Sequence, residues 1–406
     1  MTDQLKTVTV LGSTGSVGCT TIRLLAEAPE RYRVIALTAG SNWEILAQQT
    51  HQLRPGFIAI ANVEQYIALK DAVSSLDVEV MAGPEGVVEA ASRVSDLVMA
   101  GIVGVAGLPS TMAAVRRGAT VAFANKECLV SGGSLVMEEV ARTGATLLPV
   151  DSEHNAVFQV FEESNRDMVD KIILTSSGGP FRNCSVEEMA SKTHEQARAH
   201  PNFDMGAKIS IDSATMMNKA LEVIEAHHLF SMTEERIEVL VHPEQIIHSL
   251  VSYRDGSVLA QLGTPDMATP IAHALAWPDR MAVAGEQLDL ARVAKLTFQP
   301  PDPIKFPSLR LVREVLRDGG GAATVFNAAN EIAVASFLNG RIGFADIVST
   351  VERVLEACPR PAPGTIDEVL ALDSEIRAVT TRLVVNKHIS TARDDEDPIA
   401  FAAPSL

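Results

Sequence analysis

The chain has 406 residues, of which 47% are hydrophobic and 21% are charged. This length exceeds what one ordinary hydrophobic core organises, so we expect two or three domains. The formal net charge of −17 argues against a nucleic-acid partner, which would require a basic face. An anionic substrate would therefore need a local cluster of lysine, arginine and backbone N–H groups.

Cysteine usage and hydropathy indicate a cytoplasmic protein without a membrane partner. Cys19, Cys128, Cys184 and Cys358 form no CxxC pair, which is typical of reduced thiols and gives neither a disulfide framework nor a zinc site. No apolar run reaches the length of a membrane-spanning helix, and the N-terminus begins with a strand pattern instead of a signal peptide. The acidic run at 394–397 indicates a disordered tail.

The first strand leads into a glycine-rich turn. Residues 7–11 form a β-rich run, residues 12–18 read GSTGSVG, and a helical pattern follows from Cys19 to Ala28. Strand, glycine turn and helix are the context of a dinucleotide site, because the glycines admit a pyrophosphate and the helix N-terminus supplies N–H donors. The spacing is GxxGxxG and not GxGxxG, so a tight turn without a ligand is the alternative.

The second strand indicates which dinucleotide is bound. Residues 33–37 end in Thr38, Ala39, Gly40, Ser41 and Asn42, where an NAD enzyme usually has an acidic residue for the ribose 2′-hydroxyl. Small polar residues can instead accept a 2′-phosphate. The sequence therefore favours NADP over NAD.

Strand and helix patterns then alternate, which predicts a parallel sheet covered on both faces. Buried strands are expected at 57–60, 78–81, 97–99 and 120–123, with a helix at 108–117 among those between them. Asn125, Lys126 and Glu127 follow the last of these strands. Ligands bind at the carboxyl ends of such strands, although a lysine there can also be a plain surface residue.

A short acidic stretch follows the apolar run at 145–148. If it is extended, Asp151 and Glu153 point to the same side, with Ser152 offset between them. Two such carboxylates repel unless a cation or a shared proton lies between them, and hard divalent metals prefer oxygen ligands. The alternative is a solvated turn that caps a helix.

Two loops in the middle third have the composition of ligand-binding segments. A strand at 171–175 runs into the serines and glycines of 176–181, which suit a phosphate but also make ordinary turns. Residues 200–208 are polar, punctuated by Pro201 and Gly206, and carry Phe203. This segment is either a loop that closes over a ligand or a connector.

Residues 212–225 are predicted to form one capped helix. Asn218, Lys219 and Glu222 lie at i,i+3 and i,i+4 spacing and share one face, while Met217, Leu221 and Ile224 form a buried stripe. If this face lines a functional site, Glu222 is a third carboxylate ligand of the metal and Lys219 is a cationic group that binds the substrate. The alternative is an exposed Lys–Glu pair.

The C-terminal third is predicted to be helical. Proline-rich stretches at 277–278 and 299–303 indicate a linker, and helical patterns follow at 309–317, 322–338, 344–357 and 366–385. Asn327, Asn330 and Glu331 lie on an otherwise apolar helix and are interpreted as packing or capping contacts. The predicted fold is α/β, with a Rossmann-like parallel-sheet domain at 1–150, a central α+β catalytic and dimerisation domain at 151–277, a linker at 278–303, a small helical domain at 304–388 and a tail at 389–406.

Taken together, the motifs resemble those of the 1-deoxy-D-xylulose 5-phosphate reductoisomerase family in order and spacing, over nearly the whole chain. The matching stretches are Gly12-Ser13-Thr14-Gly15-Ser16-Val17-Gly18, Asn125-Lys126-Glu127, Asp151-Ser152-Glu153, Ser177-Gly178-Gly179-Pro180-Phe181 and Met216-Met217-Asn218-Lys219 through Glu222. The resemblance implies an NADPH-dependent enzyme of non-mevalonate isoprenoid biosynthesis that uses Mg²⁺, Mn²⁺ or Co²⁺ and forms a homodimer.

The resemblance also implies roles for single residues. The positions that match NADPH contacts are Thr14, Gly15, Ser16, Val17, Gly40, Ser41, Asn42, Asn125, Glu127 and Gly206. The metal ligands are Asp151, Glu153 and Glu222. The substrate positions are Lys126, Ser152, Glu153, Ser177, His200, Ser213, Asn218, Lys219 and Glu222, of which Lys126, Glu153 and Lys219 are catalytic. The segment 200–208 matches the family's active-site flap.

The implied reaction rearranges the carbon skeleton of 1-deoxy-D-xylulose 5-phosphate and then reduces the branched aldehyde with NADPH to 2-C-methyl-D-erythritol 4-phosphate. The chain departs from the family pattern at Phe203, where the flap usually carries Trp, and at Cys128, where Ser or Ala is usual. Two other functions remain open. An NADP-dependent semialdehyde dehydrogenase would use Cys128 as its nucleophile, and a non-catalytic NADP-binding regulator would leave the carboxylates idle.

Overall fold

The computed structural model describes residues 5–198 and 206–394, with side chains described as far as residue 385. The predicted flap residues His200 and Phe203, like the tail beyond 394, lie outside this part of the chain. The described strands are β1 (Lys6–Leu11), β2 (Tyr32–Ala39), β3 (Phe57–Ile60), β4 (Glu79–Ala82), β5 (Leu97–Ala100), β6 (Thr120–Phe123), β7 (Thr146–Pro149), β8 (Val169–Ser176), β9 (Ile237–Val241), β10 (Ile247–Tyr253) and β11 (Val258–Leu262).

Helices connect and cover these strands. Those of the first half are α1 (Ser16–Glu27), α2 (Trp43–Leu53), α3 (Tyr66–Ala72), α4 (Pro84–Ser92), α5 (Leu108–Arg116), α6 (Lys126–Thr143), α7 (Ser152–Val160), α8 (Val186–Ala190) and α9 (His194–Arg198). Those of the second half are α10 (Ala207–Ala214), α11 (Met217–Phe230), α12 (Ala268–Ala276), α13 (Leu290–Val293), α14 (Ser308–Asp318), α15 (Ala322–Leu338), α16 (Ala345–Ala357) and α17 (Ile366–Asp394). None of the helices in the described ranges is long and apolar enough to cross a membrane.

The first sheet has seven parallel strands in the order β4-β3-β2-β1-β5-β6-β7. Strands such as β3 and β5 are buried at every position because helices cover both faces. The strand order reverses between β1 and β5, so the crevice beyond their carboxyl ends is the expected ligand position. The predicted α/β fold with a Rossmann-like sheet is confirmed.

The second sheet has four strands in the order β11-β10-β8-β9. Strand β10 is antiparallel to both neighbours, whereas β8 and β9 are parallel. Helix α7 packs on β10 and β11, and α11 contacts β8 and β9. This mixed sheet is the α+β unit that the sequence predicted, and it places α7 and α11 where the first sheet ends.

Helix α15 is the centre of the C-terminal helices. It is apolar around most of its surface, as expected for a helix that packs on several sides. It contacts α6, α10, α11, α14, α16 and α17, so the core of the helical region is continuous with that of the second sheet. The C-terminal helices therefore lie directly against the elements that carry the predicted site.

Two segments depart from their predicted structure. Residues 212–225 do not form one helix, because α10 ends at Ala214 and Met216 adopts a left-handed conformation with φ of 58° before α11 begins. The stretch at 278–303 carries α13, and Gln299 pairs with Val241 through backbone hydrogen bonds in both directions. Helix α12 packs Ile271 and Leu275 into the core of the first sheet.

Candidate metal and dinucleotide site

The glycine turn after β1 is built for close packing of backbone. Gly12 has φ of 76°, and a Cβ there would lie 2.8 Å from the carbonyl oxygen of Gly101. A Cβ on Gly18 would lie 2.2 Å from the carbonyl oxygen of Gly12. A side chain at Gly12 would push the turn away from the loop after β5, and one at Gly18 would clash with the backbone of the turn itself. The turn therefore presents the N-terminus of α1, with Gly15 and Ser16 exposed, at the sheet's carboxyl edge.

The end of β2 is also open at this edge. Gly40 and Ser41 are exposed, and Asn42 caps α2 by accepting a hydrogen bond from the Ile45 amide at 3.1 Å. A Cβ on Gly40 would meet no atom of the described residues within 4 Å. This edge has room for a ribose, and no carboxylate in residues 38–42 would repel a 2′-phosphate.

Asn125 holds the loop after β5 and keeps one free acceptor. Its Nδ2 donates to the carbonyl oxygens of Ile102 and, at 2.9 Å, Gly104. Its buried Oδ1 has no hydrogen-bond partner in the described part of the chain. A buried acceptor without a partner is costly, so a ligand N–H or O–H at this position would satisfy it. Together with the glycine turn, Asn125 fits a dinucleotide.

Asp151, Glu153 and Glu222 converge. Carboxylate oxygens of the three residues all lie within 4.8 Å of one another. The predicted extended geometry is wrong, because α7 begins at Ser152 and Asp151 is its N-cap, accepting from the Ser152 amide at 3.1 Å. Capping and convergence coexist here, since Asp151 precedes the first turn of α7 and Glu153 lies in it.

The break between α10 and α11 determines where the third carboxylate lies. Helix α11 starts at Met217, so Asn218 and Lys219 lie in its first turn and face Glu222 one turn later. Asn218 Nδ2 donates to Glu222 Oε1 at 2.5 Å. Lys219 is 3% exposed and Glu222 is fully buried, which rules out an ordinary surface pair.

Two lysines lie among these carboxylates. Lys126 pairs with Asp151 and, at 3.1 Å, with Glu222, while Lys219 pairs with Glu222 and, at 2.7 Å, with Glu153. Burial lowers the pKa of Lys126, but Asp151 and Glu222 outweigh it and hold that pKa well above its ordinary value. Burial also lowers the pKa of Lys219, but Glu153 and Glu222 outweigh it and raise that pKa, so both lysines are charged. We call these five residues, Lys126, Asp151, Glu153, Lys219 and Glu222, the carboxylate cluster.

The carboxylate cluster has more negative than positive groups. Burial and the neighbouring Glu153 raise the pKa of Glu222 to about 7, although both lysines oppose the shift. The protein alone therefore does not fully stabilise the third negative charge. A hard divalent cation among three converging carboxylates would do so, and these oxygen donors are those that Mg²⁺ and Mn²⁺ prefer.

A second group beside the carboxylate cluster was missed from the sequence. Asp151, His154 and Glu225 also bring one ligand atom each within 4.8 Å. His154 Nε2 lies 2.9 Å from the backbone oxygen of Glu222, and burial lowers the pKa of His154 to about 4, so the ring is neutral. Glu225 follows Glu222 by one helical turn, and that spacing could have indicated it.

A cavity of about 250 Å³ joins the glycine turn to the carboxylate cluster. Predicted site residues that line it are Ser16, Val17, Lys126, Asp151, Ser152, Glu153, Ser177, Gly206, Ser213, Asn218, Lys219 and Glu222. The other described dinucleotide positions, Thr14, Gly15, Gly40, Ser41, Asn42, Asn125 and Glu127, are not among its lining residues. Ile209, Gln245 and Met267 line the cavity but were not predicted, although Gln245 follows the carboxyl end of β9, where ligands are expected.

The serine-glycine turn after β8 brings two predicted substrate residues together. Gly178 and Gly179 have φ of 76° and 69°, and a Cβ on Gly179 would lie 2.6 Å from the carbonyl oxygen of Ser213. Gly179 N donates to Ser177 Oγ at 3.1 Å. Only glycine allows this approach, so the turn places Ser177 next to the end of α10.

Cys128 does not have the properties of a nucleophile. It is fully buried, and burial raises the pKa of its thiol well above the ordinary value. A reactive cysteine needs a stabilised thiolate and access to substrate. The geometry therefore disfavours the semialdehyde dehydrogenase alternative.

Comparison with known proteins agrees with this site. The model for 1-deoxy-D-xylulose 5-phosphate reductoisomerase matches residues 8–133, the model for its C-terminal domain matches 147–230, and the model for the DXP reductoisomerase C-terminal domain matches 262–379. A 1-deoxy-D-xylulose 5-phosphate reductoisomerase of Rhodospirillum centenum is 56% identical over 382 residues, which are 94% of this chain and 95% of that protein. One of Zymomonas mobilis is 51% identical over 381 residues, with 94% and 98% covered.

Solved structures give the same assignment. The Zymomonas mobilis enzyme in complex with NADPH has 50% sequence identity and a TM-score of 0.90, covering 94% of this chain and 99% of that one. A DOX-P reductoisomerase in complex with NADPH, fosmidomycin and magnesium has 40% identity and a TM-score of 0.89, with 97% and 100% covered. The chain therefore belongs to the 1-deoxy-D-xylulose 5-phosphate reductoisomerase family.

Proposed function

We propose that this protein converts 1-deoxy-D-xylulose 5-phosphate to 2-C-methyl-D-erythritol 4-phosphate, with NADPH as reductant and a divalent cation as cofactor. One observation carries the proposal: three carboxylates and two charged lysines converge in a cavity that opens on the glycine turn. A ketose phosphate has vicinal oxygens for a cation and a phosphate for cationic groups. Membership of the family supports the same reaction.

Asp151, Glu153 and Glu222 would hold the cation, which can be Mg²⁺, Mn²⁺ or Co²⁺. A bound divalent ion polarises a carbonyl and acidifies a neighbouring hydroxyl. We assign Glu153 to proton transfer on the family resemblance; its Oε2 accepts from Ser152 Oγ at 2.6 Å and its Oε1 accepts from Lys219 at 2.7 Å. Both of its oxygens are therefore oriented towards groups that line the cavity.

Lys126 and Lys219 would stabilise negative charge that develops on substrate oxygens. Their charged state is secured by the carboxylates around them, and burial strengthens their field on a bound substrate. Ser152, Ser177, Ser213 and Asn218 line the cavity and would orient hydroxyl and phosphate oxygens. His200 is proposed as a further substrate contact on the family resemblance alone.

NADPH would lie along the carboxyl edge of the first sheet and supply the hydride. Thr14, Gly15, Ser16 and Val17 would contact the pyrophosphate at the N-terminus of α1, and Gly40, Ser41 and Asn42 would surround the adenosine ribose and its 2′-phosphate. Asn125, Glu127 and Gly206 would contact the nicotinamide end. On the family resemblance alone, we assign the segment 200–208, of which 200–205 lie outside the described residues, to the active-site flap.

We propose that two copies of the chain form a dimer through the second sheet. Strand β11 is at the edge of that sheet, and its Val258 and Leu259 are 50% and 39% exposed. Exposed edge strands with apolar side chains are prone to pair with another chain. We also infer a cytoplasmic location, which the four free cysteines support, and domain boundaries at 1–150, 151–277, 278–303 and 304–388.

The experiment follows NADPH oxidation by absorbance with 1-deoxy-D-xylulose 5-phosphate, with and without Mg²⁺ or Mn²⁺. The proposal requires turnover that a chelator abolishes and that a thiol-alkylating reagent leaves intact. NADPH binding without turnover in the presence of any divalent metal would reject the proposal and support the alternative of a non-catalytic NADP-binding regulator. Inactivation by alkylation alone would favour the dehydrogenase.

A further inference from the structure

A further group of charged and polar side chains, distinct from Asp151, His154 and Glu225, lies next to the carboxylate cluster. It consists of Glu127, Lys208, Asp212 and Asn330, and we call it the Asp212 cluster. Glu127, Asp212 and Asn330 are 7%, 1% and 0% exposed. They come from three different helices: α6, which follows the nucleotide-binding sheet, α10, and α15 of the C-terminal region.

Hydrogen bonds connect these residues in a chain. Asn330 Nδ2 donates to Asp212 Oδ1 at 2.9 Å, and Lys208 Nζ lies 2.9 Å from Asp212 Oδ2. The same Nζ donates to Glu127 Oε1 at 3.1 Å. Each oxygen of Asp212 therefore has a different partner, one from α15 and one from its own helix. The chain ends on Glu127, one of the residues assigned to NADPH.

Lys208 depends on its partners for its position. A lysine ammonium is a point charge on a flexible stem and has no preferred direction of its own. Here two carboxylates fix it, and burial of those carboxylates makes each contact strong. The Asp212 carboxylate can hold Lys208 at a defined point only while its own rotation is fixed, which is what the Asn330 hydrogen bond provides.

Helix α15 is a rigid reference for this arrangement. Thr324 Oγ1 donates to the backbone oxygen of Ser131 at 2.9 Å, which ties α15 to α6. Glu331, next to Asn330, pairs with Arg377 of α17, which also binds Asp373 at 2.6 Å. Asn330 therefore reaches the site from a helix that is anchored on both sides.

We propose that Asn330 is a positioning residue for NADPH: through Asp212 and Lys208 it fixes the Glu127 carboxylate in the orientation that binds the cofactor. The C-terminal helices thus contribute to the nucleotide site without touching the nucleotide. This inference rests on the proposed function, because Glu127 is a cofactor contact only in that reading. It assigns to Asn330 a task beyond the helix packing that the sequence suggested.

The test compares Asn330→Ala with Asn327→Ala. Asn327 is the matched control: it lies one turn earlier on α15, is equally buried, and donates one hydrogen bond, to Glu331 at 3.1 Å. Both variants should lose a similar amount of thermal stability. Only Asn330→Ala should raise the KM for NADPH, by about tenfold, with the KM for 1-deoxy-D-xylulose 5-phosphate changed by less than about twofold. Equal kinetic changes in the two variants would overturn the proposal.

A double-mutant cycle tests the route. If Asn330 acts through Lys208, Asn330→Ala should add little to the KM for NADPH in a Lys208→Met background. A full additional tenfold rise there would exclude this route. Asp212→Asn, which preserves shape and weakens the hold on Lys208, gives the same expected rise in KM should Asn330→Ala not fold. Absence of turnover in the wild type would instead reject the proposed function.

Discussion

The carboxylate cluster and the Asp212 cluster are neighbours, and their buried charged groups are paired in different ways. Lys126 and Glu127 are adjacent in the first turn of α6, yet Lys126 pairs with Asp151 and Glu222 while Glu127 pairs with Lys208. In the first cluster two lysines face three carboxylates, and the pKa of Glu222 is raised to about 7 by burial and by Glu153. In the second, burial raises the pKa of Glu127, but Lys208 outweighs it and the pKa stays below its usual value.

The comparison shows that burial alone does not identify a ligand site. Both clusters contain one more negative than positive group, and burial raises the pKa of Asp212 as it raises that of Glu222. In the Asp212 cluster, Lys208 lies between the two carboxylates and Asn330 donates to Asp212, so each carboxylate has a protein partner. In the carboxylate cluster, oxygens of three carboxylates lie within 4.8 Å of one another, which is the arrangement that a divalent cation fits. The arrangement of the charged groups, and neither the depth of burial nor the net charge, separates the two clusters.

The largest expected effect is on catalysis. Replacing Glu222 by Gln removes one carboxylate from the cation site while keeping the side chain's shape, so turnover should fall by at least about 10³-fold, or about 4 kcal/mol in the activation barrier. Steady-state NADPH oxidation with saturating Mg²⁺ measures this. A loss of less than tenfold would mean that Glu222 is not a cation ligand.

The next effect is on stability and concerns the Asp212 cluster. Asp212→Ala leaves Lys208 and Asn330 without a shared partner, so the free energy of unfolding should fall by about 3 kcal/mol. Urea denaturation of the protein without ligands measures the change. Mg²⁺ should raise the unfolding free energy of the variant and of the wild type by the same amount, so the difference of about 3 kcal/mol between them should persist. A difference between variant and wild type that shrinks on adding Mg²⁺ would show that the two clusters are not separate.

A histidine outside both clusters makes the stability of the folded protein depend on pH. Burial, with a smaller contribution from His227, lowers the pKa of His228 to about 4 from the ordinary 6.5. The unfolded state then binds the proton more readily, so this contribution to stability is complete above pH 6.5 and is lost as the pH falls towards 4. It amounts to at most about 3 kcal/mol.

His228→Asn should therefore flatten the decline in unfolding free energy with falling pH. Denaturant titrations at several pH values across that window measure the slope in both proteins. His273 also has a pKa lowered to about 4, by burial and by Arg280, so some decline should persist in the variant. An unchanged slope would mean that His228 takes up its proton equally in the folded and unfolded states.

The smallest effect is stabilisation by the cation. At a concentration one hundred times the dissociation constant, Mg²⁺ or Mn²⁺ should stabilise the folded protein by about 2.7 kcal/mol, which is a rise of several degrees in Tm. Thermal unfolding with and without a chelator measures the shift. The Asp212→Asn variant should show the same shift as the wild type, whereas Glu222→Gln should show little.

Much of the fold could be predicted from periodicity. The predicted strands at 57–60 and 120–123 coincide with β3 and β6, because short apolar runs between turn signals are typical of strands buried on both faces. The helix predicted at 322–338 coincides with α15, because most residues of this helix are also buried and give a continuous apolar pattern. Local pattern is sufficient where one environment surrounds the whole element.

The errors occur where a local pattern has two solutions. The stretch at 151–153 is compatible with an extended strand end and with the capped start of a helix. In the structure Asp151 caps α7, so the helix forms. The segment 212–225 has a helical composition throughout, but the left-handed conformation of Met216 interrupts the helix and directs α11 towards the cavity. Packing of Met216 and Met217 in the core offsets the energetic cost of that backbone conformation. Gln245 and Glu225 were missed, although the end of β9 and the helical spacing from Glu222 could have indicated them.

The sequence by itself determined the residue types of the site: the glycine turn, the carboxylates, and the lysines with their spacing along each element. Only the tertiary structure decided which of them share a charge environment. Lys126 and Glu222 are 96 positions apart, and Asp212 and Asn330 are 118 apart, yet each pair is in hydrogen-bond contact. Electrostatic energy depends on distance and on exclusion of water, and both are set when separate helices pack together.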